Sequence, residues 1–369
     1  MRRFNMADPP PGRALAGKGR TVVNRRTSVS MKDVAALAKV SVGTVSNVLN
    51  APELVAEDTR ERVELAIEKL GWVRNESARQ LRVGHSRSIG MLVMDIANPF
   101  FADVVRGAEE FLDERGYSVQ IGNSDQRPDR EDRLLDQFER QRVRGVLLAP
   151  IGENPERAVR LRQRGIPVVL VDRAAGTTDF CSVGMDDIEG GRVATDHLIN
   201  QGHRRLAFVG GPSSLAQVRD RRRGVDLALA SAGRETSLLV VSTPLLDVAS
   251  GTVAAAELLA LPDAERPTAV FAANDLLAIG LLQGFVLAGV RVPEDVALIG
   301  YDDIAFAAAA AVPLSSIRQA RGQLGAQAAE LLFEEITAID SGESHQHRTV
   351  RAAPELVVRR SSAYQIVTN

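Results

Sequence analysis

The feature that most constrains the fold is a unit that recurs from residue 88 onward. In each copy an amphipathic segment ends at a glycine and a short apolar run follows; the glycines are Gly116, Gly145, Gly165, Gly202 and Gly289. Continuous apolar runs are typical of parallel strands that helices cover on both faces. The alternation therefore predicts an α/β body with right-handed crossovers. About 270 residues are more than a single hydrophobic core usually accommodates, so we expect two doubly wound parallel-sheet lobes.

Composition sets the broad class of protein. The chain has 369 residues, of which 45% are hydrophobic and 25% are charged, which is ordinary for a globular protein of several domains. One cysteine, Cys181, excludes an intramolecular disulfide and favours a reducing compartment. No run reaches the roughly 18 apolar residues of a membrane span, and the N-terminal segment has no apolar run of signal-peptide length. We therefore expect a cytoplasmic protein.

Charge is distributed unevenly along the chain. The net charge is −2, but residues 1–30 hold seven Arg and Lys against one Asp. A basic N-terminal segment followed by an acidic remainder favours a polyanionic partner at the N-terminal end. Residues 1–28 are also rich in Pro and Gly, so we predict a disordered basic leader that either contacts phosphates or has no specific role.

Residues 29–74 carry the signals of three short helices. Ser30 and Asp33 suit a capping box for the first, Ser41 suits the cap of the second, and residues 57–70 form a third that ends at Gly71. The apolar positions expected to face inward are Val34, Ala35, Leu37, Ala38, Val45, Val48, Leu49, Val63, Ala66, Ile67 and Leu70. A short connection between the first two helices, with the third packed on both, is the helix-turn-helix arrangement. The alternative is a small helical bundle with no role in DNA binding.

The second helix lies within residues 40–50, VSVGTVSNVLN, which contain no charged side chain. Its outward side chains are small, so its backbone can approach closely in a major groove about 12 Å wide. Thr44, Ser46 and the helix N-terminus suit phosphate oxygens. Asn47 suits paired hydrogen bonds to a base edge, and it favours adenine.

Polar and aromatic side chains follow the predicted strands of the body. Ligands of open α/β sheets bind outside the carboxyl ends of the strands. The residues at or just past those ends include Asn98, Phe100, Phe101, Asp172, Arg173, Arg221, Asn274, Asp302 and Gln319. Carboxylates, carboxamides, guanidiniums and aromatic rings together suit a hydroxyl-rich ligand. The alternative is local structure: helix caps at Asp172 and Asp302, a turn at Asn98, and an N-cap at Asn274 or, preferably, Asp275.

No catalytic or metal-binding pattern stands out. The five histidines and Cys181 show no metal-ligand spacing, so we interpret His85, His197, His203, His345, His347 and Cys181 as structural or surface residues. A dinucleotide-binding enzyme would carry GxGxxG after the first strand, where this chain has DIANPFF. A transport receptor would share the body but lack the DNA-reading head. We therefore expect no enzyme activity, no cofactor and no metal.

Three segments carry a resemblance to a known family: DVAALAKVSVGTVSNVLN, TRERVELAIEKLGW and RNESARQLR. They closely resemble the lac-repressor/gal-repressor (LacI/GalR) family of bacterial transcription regulators, and the resemblance continues to about residue 361. It implies an all-α helix-turn-helix head and an α/β body similar to the periplasmic sugar-binding-protein fold. It also implies that residues 75–83 are a hinge helix that folds on operator DNA, where Leu81 wedges into the minor groove.

The resemblance assigns residues to two sites. The DNA-binding positions are Ser41, Val42, Gly43, Thr44, Ser46, Asn47, Asn50, Asn75, Ala78, Arg79 and Leu81. The ligand-binding positions follow a pentose-binding pattern and are Asn98, Phe100, Phe101, Asp172, Arg173, Arg221, Leu246, Asn274, Asp302 and Gln319. Three positions depart from the family: Lys39 at a turn that is commonly glycine, Asn47 where arginine is frequent, and Leu246 where the pattern usually has an aromatic ring.

The expected organisation has four parts: the leader at 1–28, the DNA-binding domain at 29–74, the hinge helix and linker at 75–87, and a ligand-binding and dimerisation domain at 88–361. The N-lobe is expected at about 88–186 and 320–349, and the C-lobe at about 187–318 and 350–361. The C-terminal tail lacks the heptads of family tetramers, so we expect a homodimer on a palindromic operator in double-stranded DNA. We expect a nucleoid-associated repressor of carbohydrate-use genes, released when a small pentose-like sugar binds between the lobes.

Overall fold

The computed structural model describes residues 29–72, 86–152, 156–173, 179–232 and 235–363. They belong to two compact units, Met1–Glu76 and Ser77–Asn369. The leader expected at 1–28 and the hinge helix expected at 75–83 lie outside the described residues.

Three helices form the first unit. They are α1 (Met31–Ala38), α2 (Val42–Asn50) and α3 (Glu57–Leu70), with a 3₁₀ turn at Pro52–Leu54 between the last two. The capping box of Ser30 and Asp33 is present, and the chain leaves α3 through Gly71 in the left-handed conformation. One fully buried valine from each helix lies in the shared core: Val34, Val45 and Val63.

Leu37 does not join this core, so the sequence prediction for it is wrong. Its side chain is 42% exposed, whereas Val34, Ala35 and Ala38 are buried. Successive residues of an α-helix turn by about 100°, which places Leu37 roughly 100° away from the mean direction of the other three. The buried stripe of α1 is therefore narrower than its apolar residues suggest.

The second unit alternates strands and helices along the chain. Its strands are β1 (Ser88–Val93), β2 (Ser118–Asn123), β3 (Gly145–Leu148), β4 (Val168–Val171), β5 (Cys181–Met185), β6 (Arg205–Gly210), β7 (Ser237–Ser242), β8 (Ala269–Ala272), β9 (Ala297–Asp302), β10 (Ser315–Arg318), β11 (Thr349–Ala352) and β12 (Glu355–Val357). Its helices are α4 (Pro99–Asp113), α5 (Pro128–Gln141), α6 (Glu156–Gln163), α7 (Asp187–Asn200), α8 (Ala216–Ala232), α9 (Val248–Leu259), α10 (Asp275–Leu287), α11 (Ala305–Ala309) and α12 (Arg321–Ser341), with a 3₁₀ turn at Arg360–Ser362. None of the helices in the described part of the chain is long and apolar enough to cross a membrane.

The strands form two six-stranded sheets, one in each lobe. The N-lobe sheet has the order β11-β5-β4-β3-β1-β2 and is entirely parallel. The C-lobe sheet has the order β12-β10-β9-β8-β6-β7 and is parallel except at its edge, where β12 runs antiparallel to β10. The two doubly wound lobes expected from the sequence are therefore present, with one antiparallel edge strand added.

The chain crosses between the lobes three times: after β5, after β10 and after β11. The third crossing differs from the boundary expected at residue 350. Thr349–Ala352 pairs with β5 in the register Thr349 to Ser182, so the N-lobe extends through Ala352. Backbone hydrogen bonding at the β5 edge of the N-lobe sheet decides the boundary, and the next strand, β12, joins the β10 edge of the C-lobe sheet.

Four of the five glycines that define the recurring unit have positive φ, as expected at the ends of helices: Gly116, Gly165, Gly202 and Gly289. Gly145 does not, and its assignment as a helix end is wrong. The left-handed residue after α5 is Arg142, and Gly145 is a buried residue of β3. A Cβ at Gly145 would lie 2.8 Å from a methyl carbon of Leu332, so this glycine provides room for α12.

Candidate functional site

The turn between α1 and α2 sets the direction of the second helix. Lys39 has φ 54° and ψ 48°, and its backbone N–H donates to the carbonyls that end α1. Ser41 caps α2, because its Oγ accepts a hydrogen bond from the backbone nitrogen of Thr44 at 3.0 Å and lies 2.9 Å from the Thr44 hydroxyl. The lysine thus occupies a conformation that usually favours glycine.

Most of the outward side chains of α2 form one face. Val42, Gly43, Asn47 and Asn50 are exposed, while Val45 and Val48 are buried on the opposite side. Asn50 donates through Nδ2 to the Ser46 carbonyl at 2.7 Å. The exposed face is therefore small, uncharged and partly ordered by its own hydrogen bonds, and Asn47 is the amide on it nearest the middle of the helix.

Four further positions that the resemblance assigns to DNA binding are Asn75, Ala78, Arg79 and Leu81. All four lie outside the described residues.

In the body, the predicted ligand residues gather where the carboxyl ends of the two sheets meet. Asn98 follows β1 and donates through Nδ2 to Asp302 Oδ2, at the end of β9, at 3.3 Å. Gln217 on α8 donates through Nε2 to Asp172 Oδ2, just after β4, at 2.8 Å. Each bond joins one lobe to the other. We call this region, between Asp172, Asn98, Arg221 and Asp302, the cleft.

The buried guanidinium of Arg221 lies at the centre of the cleft. Its Nε donates to Asp187 Oδ1 at 2.8 Å, and its Nη1 donates to the Ala273 carbonyl at 2.6 Å. The guanidinium carbon lies 3.6 Å from the centre of the Tyr301 ring, in cation–π contact. Arg221 is 4% exposed and Asp187 is 8% exposed, so the pair is an ion pair inside the protein.

Close backbone packing brings this pair together. A Cβ at Gly191 on α7 would lie 2.1 Å from the Arg221 carbonyl oxygen, and a Cβ at Gly224 on α8 would lie 2.0 Å from the Ile188 carbonyl oxygen. Only glycine permits α7 and α8 to approach so closely. Their contact places Asp187, in the first turn of α7, beside Arg221 on α8.

Burial and neighbouring charges shift the pKa values of the ionisable side chains in the cleft. Burial, together with the nearby Asp187 carboxylate, raises the pKa of Asp172 to about 8. Burial also raises the pKa of Asp302 to about 6, although the Arg221 guanidinium acts in the opposite direction. Burial by itself lowers the pKa of Arg221, but the Asp187 carboxylate outweighs it and holds that pKa above its ordinary value. Asp172 therefore carries a proton near neutral pH, so its carboxyl group both donates and accepts hydrogen bonds.

Two acceptor atoms in the cleft have no protein partner among the described residues. They are Asp172 Oδ1 and Gln319 Oε1, both buried. Gln319 lies just after β10, and its Nε2 donates to Asp302 Oδ1 at 2.8 Å. Buried polar atoms are normally paired, so unpaired acceptors in a cleft fit a bound molecule that donates to them.

The remaining predicted ligand positions lie at or beside the same strand ends. Phe100 and Phe101, in the first turn of α4, are buried edge to face with their ring centres 5.0 Å apart. Leu246 is partly buried and accepts a hydrogen bond at its carbonyl from Asn274 Nδ2 at 3.1 Å. Arg173 differs from the others, because it is only half-buried and donates to the Gly152 carbonyl.

The alternative that these polar residues only cap helices or form turns is correct for some of them and wrong for others. Asn98 caps α4 and also bonds across the cleft to Asp302, whereas Asn274 caps α10 and bonds within the C-lobe to the Leu246 carbonyl. The expectation that Asp275 is the N-cap is wrong, since Asp275 is buried and accepts from Ser316 and Ile304 instead. Among the residues that the structure describes, neither Asp172 nor Asp302 has a capping bond: their carboxyl groups accept from the side chains of Gln217, Asn98 and Gln319.

Sequence reasoning missed two cleft residues, Asp187 and Gln217. Asp187 follows β5, whose sequence CSVGM does not form a continuous apolar run, so its strand end was not recognised. Gln217 lies four residues before Arg221 on α8 and therefore shares its helix face. That spacing was a signal in the sequence.

Four of the five histidines lie in the described part of the chain. His197 and His203 have structural partners, Ser362 and Thr268. His345 and His347 lie with Cys181 and Glu335 in one compact group. His85 lies outside the described residues.

Comparison with known sequences agrees with this architecture. Residues 30–75 match the model of bacterial regulatory proteins of the lacI family, and residues 195–362 match that of a periplasmic binding protein-like domain. The ribose operon repressor of Escherichia coli is 35% identical over 334 residues, which cover 90% of this chain and 99% of that protein. The HTH-type transcriptional repressor PurR of Photobacterium profundum is 34% identical over 333 residues, which cover 90% of this chain and 98% of that protein.

Solved structures show the same likeness. The complex of the transcriptional regulator CelR with cellobiose is 34% identical with a TM-score of 0.66, covering 90% of this chain and 100% of that one. The lac repressor dimer bound to operator and the anti-inducer ONPF is 25% identical with a TM-score of 0.77, covering 90% of this chain and 99% of that one. A LacI family regulator from Enterococcus faecium with bound ribose is 30% identical with a TM-score of 0.67, covering 75% of this chain and 98% of that one. The chain therefore belongs to the lacI family of bacterial regulatory proteins: it is a DNA-binding transcription regulator and not an enzyme.

Proposed function

We propose that this protein represses carbohydrate-use genes as a homodimer on a palindromic operator, and that a pentose-like sugar in the cleft releases it. Its place of action is the nucleoid, in the cytoplasm. The observation that carries the ligand proposal is a pair of buried acceptors in the cleft, Asp172 Oδ1 and Gln319 Oε1, which have no partner within the part of the chain that the structure describes.

Sugar hydroxyls suit this arrangement because each donates one hydrogen bond and accepts others. Gln319 Oε1 accepts and the amide of Asn98 donates. Because Asp172 Oδ2 already accepts from Gln217, the proton of the neutral carboxyl lies on Oδ1, which can donate to one hydroxyl and accept from another. The faces of Phe100 and Phe101 suit the C–H side of a sugar ring. Relatives support the same class of ligand, since the similar proteins include a ribose operon repressor and a regulator with bound ribose.

Leu246 bears on the size of the sugar. It takes the place of an aromatic ring, and its backbone nitrogen donates to Gln126 Oε1 of the N-lobe at 3.4 Å. A leucine here removes one stacking surface but still closes the cleft on an apolar side chain. We expect D-ribose to bind more tightly than a hexose, and cellobiose, which is bound in the CelR structure, to bind most weakly.

The response to the sugar follows from the bonds between the lobes. Asn98 to Asp302 and Gln217 to Asp172 hold the two sheets together, and the ligand contacts the same atoms. Binding therefore changes the angle between the lobes about the three crossings. We propose that this change acts on the folding of residues 75–83 on DNA and so weakens operator binding.

The ligand proposal is tested by thermal shift and by fluorescence anisotropy on labelled operator. D-ribose should raise the melting temperature of the full-length protein and should release it from operator. Asp172→Asn should keep operator affinity but lose the response, because its amide cannot reproduce the carboxyl group. Asp226→Asn, on the exposed side of α8, is the matched control. If no pentose or hexose weakens operator binding, the inducer proposal fails.

The DNA proposal is tested by selection from random duplexes. The two identical helix-turn-helix domains of a dimer should select duplexes that contain an inverted repeat, with two chains bound to each duplex. Asn47→Ala should relax base preference at one mirrored position in each half-site, at a cost of about 1–3 kcal/mol for the preferred base. A selected site without two-fold symmetry would refute the dimeric arrangement. Unchanged preference in Asn47→Ala would refute the role of that amide.

A further inference from the structure

Four side chains with metal-binding atoms gather at one end of the N-lobe sheet. Cys181 begins β5, Glu335 lies on α12, and His345 and His347 lie in the connection from α12 to β11. One ligand atom from each lies within 4.8 Å of all the others. The cleft lies at the opposite ends of the strands, so this cluster is separate from the proposed sugar site.

One distance within the cluster matches a tetrahedral zinc site, that from Cys181 to His347, and the distance from Cys181 to His345 is about 0.5 Å shorter than such a site requires. Cys181 Sγ lies 3.1 Å from His345 Nε2 and 3.7 Å from His347 Nδ1. Around one zinc ion, with bonds of about 2.3 Å to sulfur and about 2.05 Å to nitrogen, the sulfur and nitrogen would be about 3.6 Å apart. We propose that Cys181, Glu335, His345 and His347 form a binding site for Zn²⁺.

Glu335 provides independent support for a ligand. Its side chain is 4% exposed, and its Oε2 is buried with no hydrogen-bond partner among the described residues. A hydrogen bond between the thiol and an imidazole would explain Cys181 and His345, but it leaves this carboxylate oxygen unpaired. A cation coordinated by Oε2 pairs it.

The charges of the cluster fit a divalent ion. A thiolate and a carboxylate together balance Zn²⁺, and the two imidazoles bind it in their neutral forms. Of the nearby cations, Arg348 is paired with Glu334, and Arg162 donates to the Asp179 carbonyl.

The connection from α12 to β11 provides a path for an ion to enter the site, and it also determines which elements a bound ion would hold together. His345 and His347 are half-buried, so the ion can enter from this side, whereas Cys181 and Glu335 are buried beneath them. An ion would tie α12 and the connection that leads into β11 to the first residue of β5. Binding therefore stabilises the N-lobe at the point where the chain approaches its last crossing.

Cobalt(II) is the probe for this site, since its spectrum reports both geometry and sulfur coordination. Full-length protein is stripped with a chelator, desalted and titrated with Co²⁺. We expect one tight Co²⁺ per chain, visible bands of tetrahedral intensity, and a near-ultraviolet charge-transfer band from the thiolate. Zn²⁺ should displace the Co²⁺ and abolish these bands.

Variants separate the site from adventitious binding. Cys181→Ser should lose the charge-transfer band, and Glu335→Gln and His345→Gln should each weaken Co²⁺ binding by at least about tenfold, since even the loss of an outer-sphere partner costs that much. Glu330→Gln, at an exposed glutamate of the same helix, and His197→Gln are the controls and should bind as wild type does. Circular dichroism confirms that each variant is folded. An octahedral spectrum without a sulfur band in the folded wild-type protein overturns the proposal, and so does unchanged binding in Cys181→Ser.

Discussion

Replacement of Arg221 by methionine tests how much the buried Arg221–Asp187 ion pair contributes to the stability of the folded protein. Methionine has a similar length but no charge, so the change removes the bonds to Asp187 and Ala273 while filling much of the space. It leaves the Asp187 carboxylate buried without its cation. Breaking a buried ion pair by removing one partner costs about 3–5 kcal/mol, because the remaining charge is uncompensated.

The expected change in melting temperature follows from the size of the second unit. The entropy of unfolding is about 2.1 cal/mol/K per residue, or roughly 600 cal/mol/K for the roughly 290 residues of that unit. A loss of 3–5 kcal/mol then lowers the melting temperature by about 5–8 °C. Arg222→Met on the same helix is the matched control: Arg222 pairs with Asp226 at the surface, and such pairs contribute about 0.3–0.5 kcal/mol.

Differential scanning calorimetry of the full-length protein measures this effect, and a double-mutant cycle assigns its cause. Asp187→Asn removes the charge that Arg221→Met leaves unpaired, so the double variant should be more stable than the sum of the single effects predicts. Below its transition, Arg221→Met should still bind operator but should no longer respond to ribose. A fall of less than about 2 °C in Arg221→Met, or strict additivity in the cycle, would refute the ion-pair reasoning.

Two further predictions address the turn in the head and the pH dependence of the body. Lys39→Gly should stabilise the first unit by about 1 kcal/mol, since glycine adopts φ 54° without the steric cost of a Cβ. Hydrogen exchange of the α1–α3 amides should slow about fivefold, whereas Lys39→Ala, which keeps the Cβ, should show no such gain. Asp172 has a pKa of about 8 in the folded protein and an ordinary value of 3.8, so folding retains a proton that the unfolded chain has lost between these values. Stability should therefore fall as pH rises from about 4 to about 8, and Asp172→Asn should flatten that fall in thermal melts; an equal slope in both proteins would contradict the assignment.

Local patterns in the sequence predicted much of the molecule. The capping box at Ser30, the cap at Ser41 and the terminal Gly71 each depend on contacts within a few residues, so the three helices of the head follow from the sequence directly. The alternation of helices with apolar runs is also a local pattern, and it predicted two sheets of mainly parallel strands. The strand-end rule then identified Asp172 and Asp302, because a parallel sheet brings the carboxyl ends of its strands to one edge.

Contacts between distant parts of the chain required the tertiary structure. Arg221 meets Asp187 because α7 and α8 pack at Gly191 and Gly224, and nothing local to either charged residue encodes that approach. Cys181 and His345 are 164 positions apart, and pairing between β11 and β5 brings them together.

The sequence by itself determined the kinds of element, their order and the polar side chains at the strand ends, because periodicity, caps and strand ends depend on a few neighbouring residues. The tertiary structure decided which side chains are partners: the Arg221–Asp187 pair, the bonds between the lobes and the cluster around Cys181. It also decided that Leu37 faces solvent and that the N-lobe runs through Ala352. Those outcomes depend on how closely the backbones pack and on which sheet edge a strand joins, and both are properties of the assembled fold.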